Sequence, residues 1–221
     1  MSFKKNKYQV IKGVVSREVA DIGYNYLKMR EAAEKKLQEY FIITCWHGRF
    51  DDPQVPGAYS IYGDYLMETL LEKTLPFIEK KTSTKLVPTY AYTRLYRTGH
   101  ILHRHKDRSS CEISSTMNLG GDDWPIFISP KENVGLCEGE GGKQGITPAS
   151  NAKGIKVVLK PGDMLLYRGV ELEHWRETFT GKECGQVFFH YNDKKGPYKT
   201  SNLYDSRPML GLPSKYKNIK L

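Results

Sequence analysis

The chain has 221 residues, 39% hydrophobic and 27% charged, with a net charge of +9 at neutral pH. It is long enough for one sizeable domain, too short for two ordinary ones, and reads as soluble and globular. Cys45, Cys111, Cys137 and Cys184 are widely spread with no CxxC pair, which argues against a disulfide framework or a zinc ribbon and for a reducing, cytoplasmic setting.

The basic start MSFKKNKYQV has no apolar stretch after it, so neither a signal peptide nor a membrane span is expected. YQVIKGVV (Tyr8 to Val15) alternates weakly and predicts a first strand. Ser16 then reads as an N-cap, with Glu18 in the first turn. Val19, Ile22, Tyr26, Met29 and Ala33 recur at helical spacing and predict a helix over about 17–39. FIITCW (Phe41 to Trp46) reads as a strand or a buried turn, and Gly48 to Gly57 as a loop. A second helix is predicted from Tyr62 to Lys81, with a kink or a new turn at Pro76.

From Lys85 the period changes. VPTYAYTRLYRTG alternates strictly and places Tyr90, Tyr92, Arg94 and Tyr96 on one side of a strand. Short strands follow at His100 to His105, Glu112 to Leu119, Trp124 to Ser129, Lys156 to Leu159, Asp163 to Tyr167, Leu172 to Glu177 and Gln186 to Tyr191. Helices followed by many short strands argue an α+β fold with a closed or double-sheet β core. The Gly-rich segment Pro130 to Gly154 reads as a long loop, and Asp193 to Leu221 as a tail that either wraps the core or is partly mobile.

The lysines form short clusters rather than a long basic run with interleaved aromatics. The charge therefore reads as a solvated surface first and a nucleic-acid footprint second.

The motif that carries chemistry is HRHKD. His105 and Asp107 are two apart, so on a strand they share a face. His174 follows 67 residues after Asp107, behind the apolar strand of GDMLLYRGVELEHW. Two imidazoles and one carboxylate occupy one face of Fe(II) and leave the other open. HxD alone is weak evidence. The order gives it weight: Tyr-rich strand, HxD, a strand ending in Asn-Leu-Gly, loop, Gly-Asp with an apolar strand, His, and a closing strand GQVFFHYND. His103 shares parity with His105 and competes with it as a ligand, less well because HxxxD is an unusual spacing.

From about Tyr90 to Asp193 this series resembles the 2-oxoglutarate- and Fe(II)-dependent dioxygenases, in their prolyl 4-hydroxylase-like branch. The opening YQVIKGVVSREVADIGYNYL is similar to that branch as well. The resemblance implies a double-stranded β-helix (jelly roll) with N-terminal helices packed on one sheet. It implies one domain over 1–221: helical support over 1–84, the jelly roll over 85–193 and an extension over 194–221. It implies His105, Asp107 and His174 as iron ligands, and Fe(II), 2-oxoglutarate and O₂ as cofactor and co-substrates, with ascorbate as an accessory. The implied reaction hydroxylates a C–H bond of a peptide, protein or small-molecule substrate and releases succinate and CO₂.

Tyr96 matches a tyrosine that contacts 2-oxoglutarate in such proteins. Their distal carboxylate is met by an Arg or Lys nine or ten residues after the second histidine, where this chain has Glu183 and Cys184. Lys182, the nearest cation in sequence, and Arg176, on the same strand face as His174, compete for that role. His190, Trp124, Trp175 and Asn118 are further candidates for the cavity wall, although core packing also accounts for His190 and the tryptophans.

Three other readings stand beside this one. A nucleic-acid demethylase of the AlkB type would carry RxxxxxR downstream, but no arginine occurs between Arg176 and Arg207. A catalytically silent jelly-roll binding module is kept open by the missing standard cation. A zinc hydrolase ranks last, because HExxH is absent.

Overall fold

Ser16 and Asp64 start the two long helices by the same device. The computed structural model, which describes residues 2–40, 48–132 and 151–219, has a one-turn helix α1 (Phe3–Asn6) and a short strand β1 (Tyr8–Ile11) before the first of them. Ser16 Oγ accepts from the Val19 N–H at 3.2 Å and opens α2 (Arg17–Glu39). Gly63, at φ +69°, ends strand β2 (Tyr59–Tyr62). Asp64 Oδ1 then accepts from the Leu66 and Met67 N–H groups at 3.0 and 3.2 Å and opens α3 (Tyr65–Thr82).

Three expectations change here. The first strand ends at Ile11, and an unpredicted strand β2 takes Tyr62, the first residue assigned to the second helix. The apolar stripe read along α2 is rotated. Ala20, Gly23, Leu27, Glu31 and Glu34 are buried, whereas Ile22 and Met29 are 56% and 73% exposed. Close approach decides this. A Cβ on Gly23 would meet Leu119 Cδ2 at 3.2 Å, so the helix approaches the sheet most closely through Gly23.

The β core has eight further strands: β3 (Leu86–Arg97), β4 (Leu102–His105), β5 (Ile113–Gly121), β6 (Ile126–Glu132), β7 (Ile155–Val157), β8 (Met164–Arg168), β9 (Leu172–Arg176) and β10 (Glu183–Asp193). A six-stranded sheet runs β1-β8-β5-β10-β3-β2 and a four-stranded sheet β4-β9-β6-β7, every pairing antiparallel. The fold is α+β with a jelly-roll core, and α2 and α3 cover the outer face of the larger sheet.

Leu27, Leu71 and Ile78 from the helices interlock there with Ala91, Leu95, Met117, Val187 and Phe189. Each such aliphatic side chain contributes roughly 1.5–3 kcal/mol on burial. The alternation read in β3 holds: Ala91 and Leu95 face the helices, and Tyr90, Tyr92 and Arg94 face the cavity between the sheets.

The tail after β10 wraps back over the body. Arg207 pairs with Glu68 of α3 at 2.7 Å, and Asp205 with Arg108 at 2.6 Å. FIITCW and most of the Pro130 to Gly154 loop lie outside the described residues. Among the described residues, no helix is long and apolar enough to cross a membrane.

Candidate metal centre

Antiparallel pairing of β4 with β9 sets His105 directly opposite His174. Their rings lie 4.3 Å apart by centroid, and Asp107 closes the third corner. Asp107 Oδ1 is 3.7 Å from His105 Nε2 and 3.4 Å from His174 Nε2. The Asp107 N–H is held by the Gly169 carbonyl at 2.9 Å, and a Cβ on Gly169 would fall on Asp107 Oδ2. Only glycine permits this approach.

Each imidazole is fixed from behind. His105 Nδ1 donates to the His103 carbonyl at 2.7 Å, and His174 Nδ1 to the Leu172 carbonyl at 3.0 Å. A carbonyl only accepts, so a ring proton sits on each Nδ1, and each Nε2 is turned toward the carboxylate. Burial lowers the His105 pKa to about 3, so that ring is neutral. Two Nε2 atoms and one carboxylate oxygen thus converge where a single ion could take all three as ligands. Ser114 Oγ donates to the outer oxygen, Asp107 Oδ2, at 2.6 Å. This is the support that metal ligands require. The donor set, two imidazoles and one carboxylate with an open side on a cavity, fits Fe(II).

The cavity encloses about 610 Å³ and is walled by the triad and by Tyr62, Tyr90, Tyr92, Arg94, Arg108, Tyr167, His190 and Lys217. His103 is exposed, because a register shift between Leu102 and His105 turns it outward; its shared parity with His105 does not survive the bulge.

Arg176 is 1% exposed and lies inside the β core. Its Nη1 donates to the Trp124 carbonyl and its Nη2 to Thr116 Oγ1 at 3.3 Å. Its Nε has no acceptor, and no carboxylate pairs with it among the described residues. Burial without a counter-ion pulls its pKa down.

Tyr96 is fully buried, and its hydroxyl accepts from Arg94 Nη1 at 3.3 Å, which leaves its own proton to donate. Lys182 is exposed, in the turn before β10, its N–H bound to Asp122 Oδ2 at 2.6 Å, and it does not line the cavity. Glu183 pairs with Lys28 at 2.8 Å, whereas Cys184 is buried beside Gln186.

His190 lines the cavity, with Nδ1 3.0 Å from Ser114 Oγ. Trp124 packs edge-on to Tyr96, Trp175 stacks on Phe127, and Asn118 Nδ2 donates to the Leu159 carbonyl at 2.7 Å. None of these three lines the cavity.

Sequence reading passed over Arg94, Arg108 and Lys217. The alternation of β3 already placed Arg94 among the cavity tyrosines. Nothing local marked the other two. They meet at Asp205, which is 97 residues from Arg108.

No family model matches this sequence, and no curated protein matches it either. Solved structures do. A Pseudomonas putida prolyl-4-hydroxylase matches at TM-score 0.57 and 12% identity, over 86% of this chain and 95% of that one. EctD from S. alaskensis with bound Fe matches at TM-score 0.59 and 12% identity, over 95% and 83%. SnoN, a non-heme α-ketoglutarate-dependent epimerase from nogalamycin biosynthesis, matches at 0.58 and 12%, over 87% and 80%. The strand order, the helices on the larger sheet and these matches agree: the chain has the jelly-roll fold that these structures share.

Proposed function

We propose that the chain is an Fe(II)- and 2-oxoglutarate-dependent dioxygenase that hydroxylates a C–H bond and releases succinate and CO₂. The observation that carries this reading is the convergence of His105 Nε2, His174 Nε2 and Asp107 Oδ1, with both ring protons tied to backbone carbonyls. When bound, iron, 2-oxoglutarate and O₂ together supply the oxidant.

The protein's part is positioning and the exclusion of water. His105, Asp107 and His174 hold the metal. Arg176 holds the distal carboxylate of 2-oxoglutarate. Its buried guanidinium has an N–H without an acceptor and a charge without a partner among the described residues, and a carboxylate supplies both. Tyr96 supports the same end with its unused hydroxyl proton. Neither Arg176 nor Lys182 is on the cavity wall; Arg176 is preferred because it is buried inside the β core next to it, whereas Lys182 is exposed to water. Ascorbate enters as an accessory reductant.

The P. putida prolyl-4-hydroxylase match supports an amino-acid residue as one substrate class. Buried free thiols at Cys111 and Cys184 support a reducing, cytoplasmic setting.

Succinate release with Fe(II) and 2-oxoglutarate tests the reading, comparing wild type with His174→Ala. Release that depends on His174 is expected. Equal release from both proteins sinks the assignment.

A further inference from the structure

One wall of the cavity is built differently from the rest. Tyr62 and Tyr90 stack with centroids 4.9 Å apart, and Tyr90 lies 4.6 Å from the His190 ring. The three rings form a continuous aromatic stack along one side of the cavity. A cation lies over each tyrosine: Arg108 at 4.8 Å over Tyr90 and Lys217 at 5.3 Å over Tyr62. Lys217 comes from the C-terminal tail, so the tail completes the cavity.

Arg108 and Lys217 share a single carboxylate. Asp205 accepts from Arg108 Nη1 and Nη2 at 2.8 and 2.6 Å, from Lys217 Nζ at 2.5 Å, from Ser110 Oγ at 2.7 Å and from Tyr62 Oη at 2.6 Å. It is 3% exposed and does not line the cavity, whereas both cations do. Apart from Asp107, which faces the two histidines of the metal centre, the neighbouring charges cancel. Arg207, also over Tyr62, pairs with Glu68; Arg94 pairs with Asp52, and Arg49 with Asp51. One positive charge is therefore left over at the Arg108–Lys217 pair.

Donors are left over as well. A guanidinium has five N–H groups and an ammonium three. Arg108 uses three, two on Asp205 and one on Ser110 Oγ, and Lys217 uses one. Two N–H groups on each residue have no partner among the described residues.

The tail segment that brings Asp205 here is itself strained. Tyr204, Asp205 and Ser206 are three consecutive non-glycine residues in the left-handed region, at φ +51°, +55° and +62°. Such conformations persist where the surroundings over-determine them and cluster at ligand clamps.

From this geometry we propose that the substrate carries an anionic group, a carboxylate or a phosphate, received by Arg108 and Lys217. The body of the substrate lies along Tyr62, Tyr90 and His190, with the reacting carbon toward the triad. This rests on the oxygenase reading and names the substrate class for that site. It favours a small organic acid, or a chain end, over an uncharged internal peptide segment.

The test needs no knowledge of the substrate. Protein loaded with Mn(II) and 2-oxoglutarate is titrated with acetate, with inorganic phosphate and, as the neutral control, with acetamide. Paramagnetic relaxation of the probe nuclei is read by NMR. A saturable enhancement for acetate or phosphate, absent for acetamide, is expected. Lys217→Gln, a substitution at a side chain 32% exposed, should weaken that binding about tenfold, the loss of one charge-assisted hydrogen bond. The stronger of the two anions identifies the group. Enhancement equal to that of acetamide, or unchanged in Lys217→Gln, overturns the inference alone when Mn(II) and 2-oxoglutarate still bind. Failure of Mn(II) and 2-oxoglutarate to bind overturns both this and the oxygenase reading.

Discussion

Glu68 and Arg207 form an ion pair 2.7 Å long in which neither side chain is more than 2% exposed. Glu68 also accepts from the Ala91 and Gly211 N–H groups, and Arg207 also donates to the Thr89 and Leu212 carbonyls. The pair joins α3 to the tail. Removing one partner of a buried pair strands the other charge, at a cost of about 3–5 kcal/mol. Glu68→Ala should lose that much in denaturant unfolding, and the double variant Glu68→Ala with Arg207→Met should recover part of it. A loss below about 1 kcal/mol would show that the tail is fastened elsewhere.

Ser114 is the side-chain hydroxyl bound to Asp107 Oδ2, at 2.6 Å. Ser114→Ala keeps all three ligands and loosens one of them. Fe(II) affinity should fall about 10- to 100-fold, the usual effect of losing a group that orients a ligand, while the melting temperature of the metal-free protein changes little. Competition with a chromophoric chelator measures the first quantity and calorimetry the second.

Arg176→Gln removes the charge proposed to hold 2-oxoglutarate. Truncating one partner of a buried charge pair costs about 2–5 kcal/mol, so the dissociation constant should rise at least about thirtyfold. Anaerobic titration of the Fe(II) protein, followed by its charge-transfer absorbance, reads this directly. Lys182→Gln in the same titration should match wild type, since Lys182 is exposed in a turn. The reverse pattern would exchange their roles.

Burial lowers the pKa of His105 to about 3 and of His190 to about 4, from an ordinary value near 6.5. The unfolded chain therefore binds protons that the native state refuses between about pH 6.5 and 4. The sign follows: stability of the metal-free protein is fully present above pH 6.5 and is lost as pH falls toward these depressed values. Each unit of depression is worth about 1.4 kcal/mol. Thermal melts from pH 7.5 to pH 4.5 should show a steady fall, and His190→Gln should flatten part of it. A flat profile in wild type would contradict the burial of these rings.

Much of the fold is legible locally. Ser16 as a cap set the start of α2, and strict alternation set the facing of β3. The triad was readable because two of its members are two residues apart on one strand and the third ends a recognisable apolar strand. What stayed hidden depends on partners far away. The buried side of α2 is chosen by close approach to Leu119, which no helical period reports. β2 is four residues long and runs almost directly into a helix. Asp205 draws Arg108 and Lys217 to the cavity only after the tail has folded back, and no local pattern encodes that return. Arg176 and Lys182 were equal in sequence because spacing alone does not say which cation is dry.

The bulge in β4 has a consequence for how this chain tolerates change. Leu102 faces Arg176 and His105 faces His174, so three steps along one strand match two along the other. In an unbulged strand of the same sequence, Arg104 would stand opposite His174 and a guanidinium would occupy a ligand position. Ironing out the bulge without removing a residue would leave the composition of the site intact and still disarm it. The metal centre is held by counting as much as by chemistry.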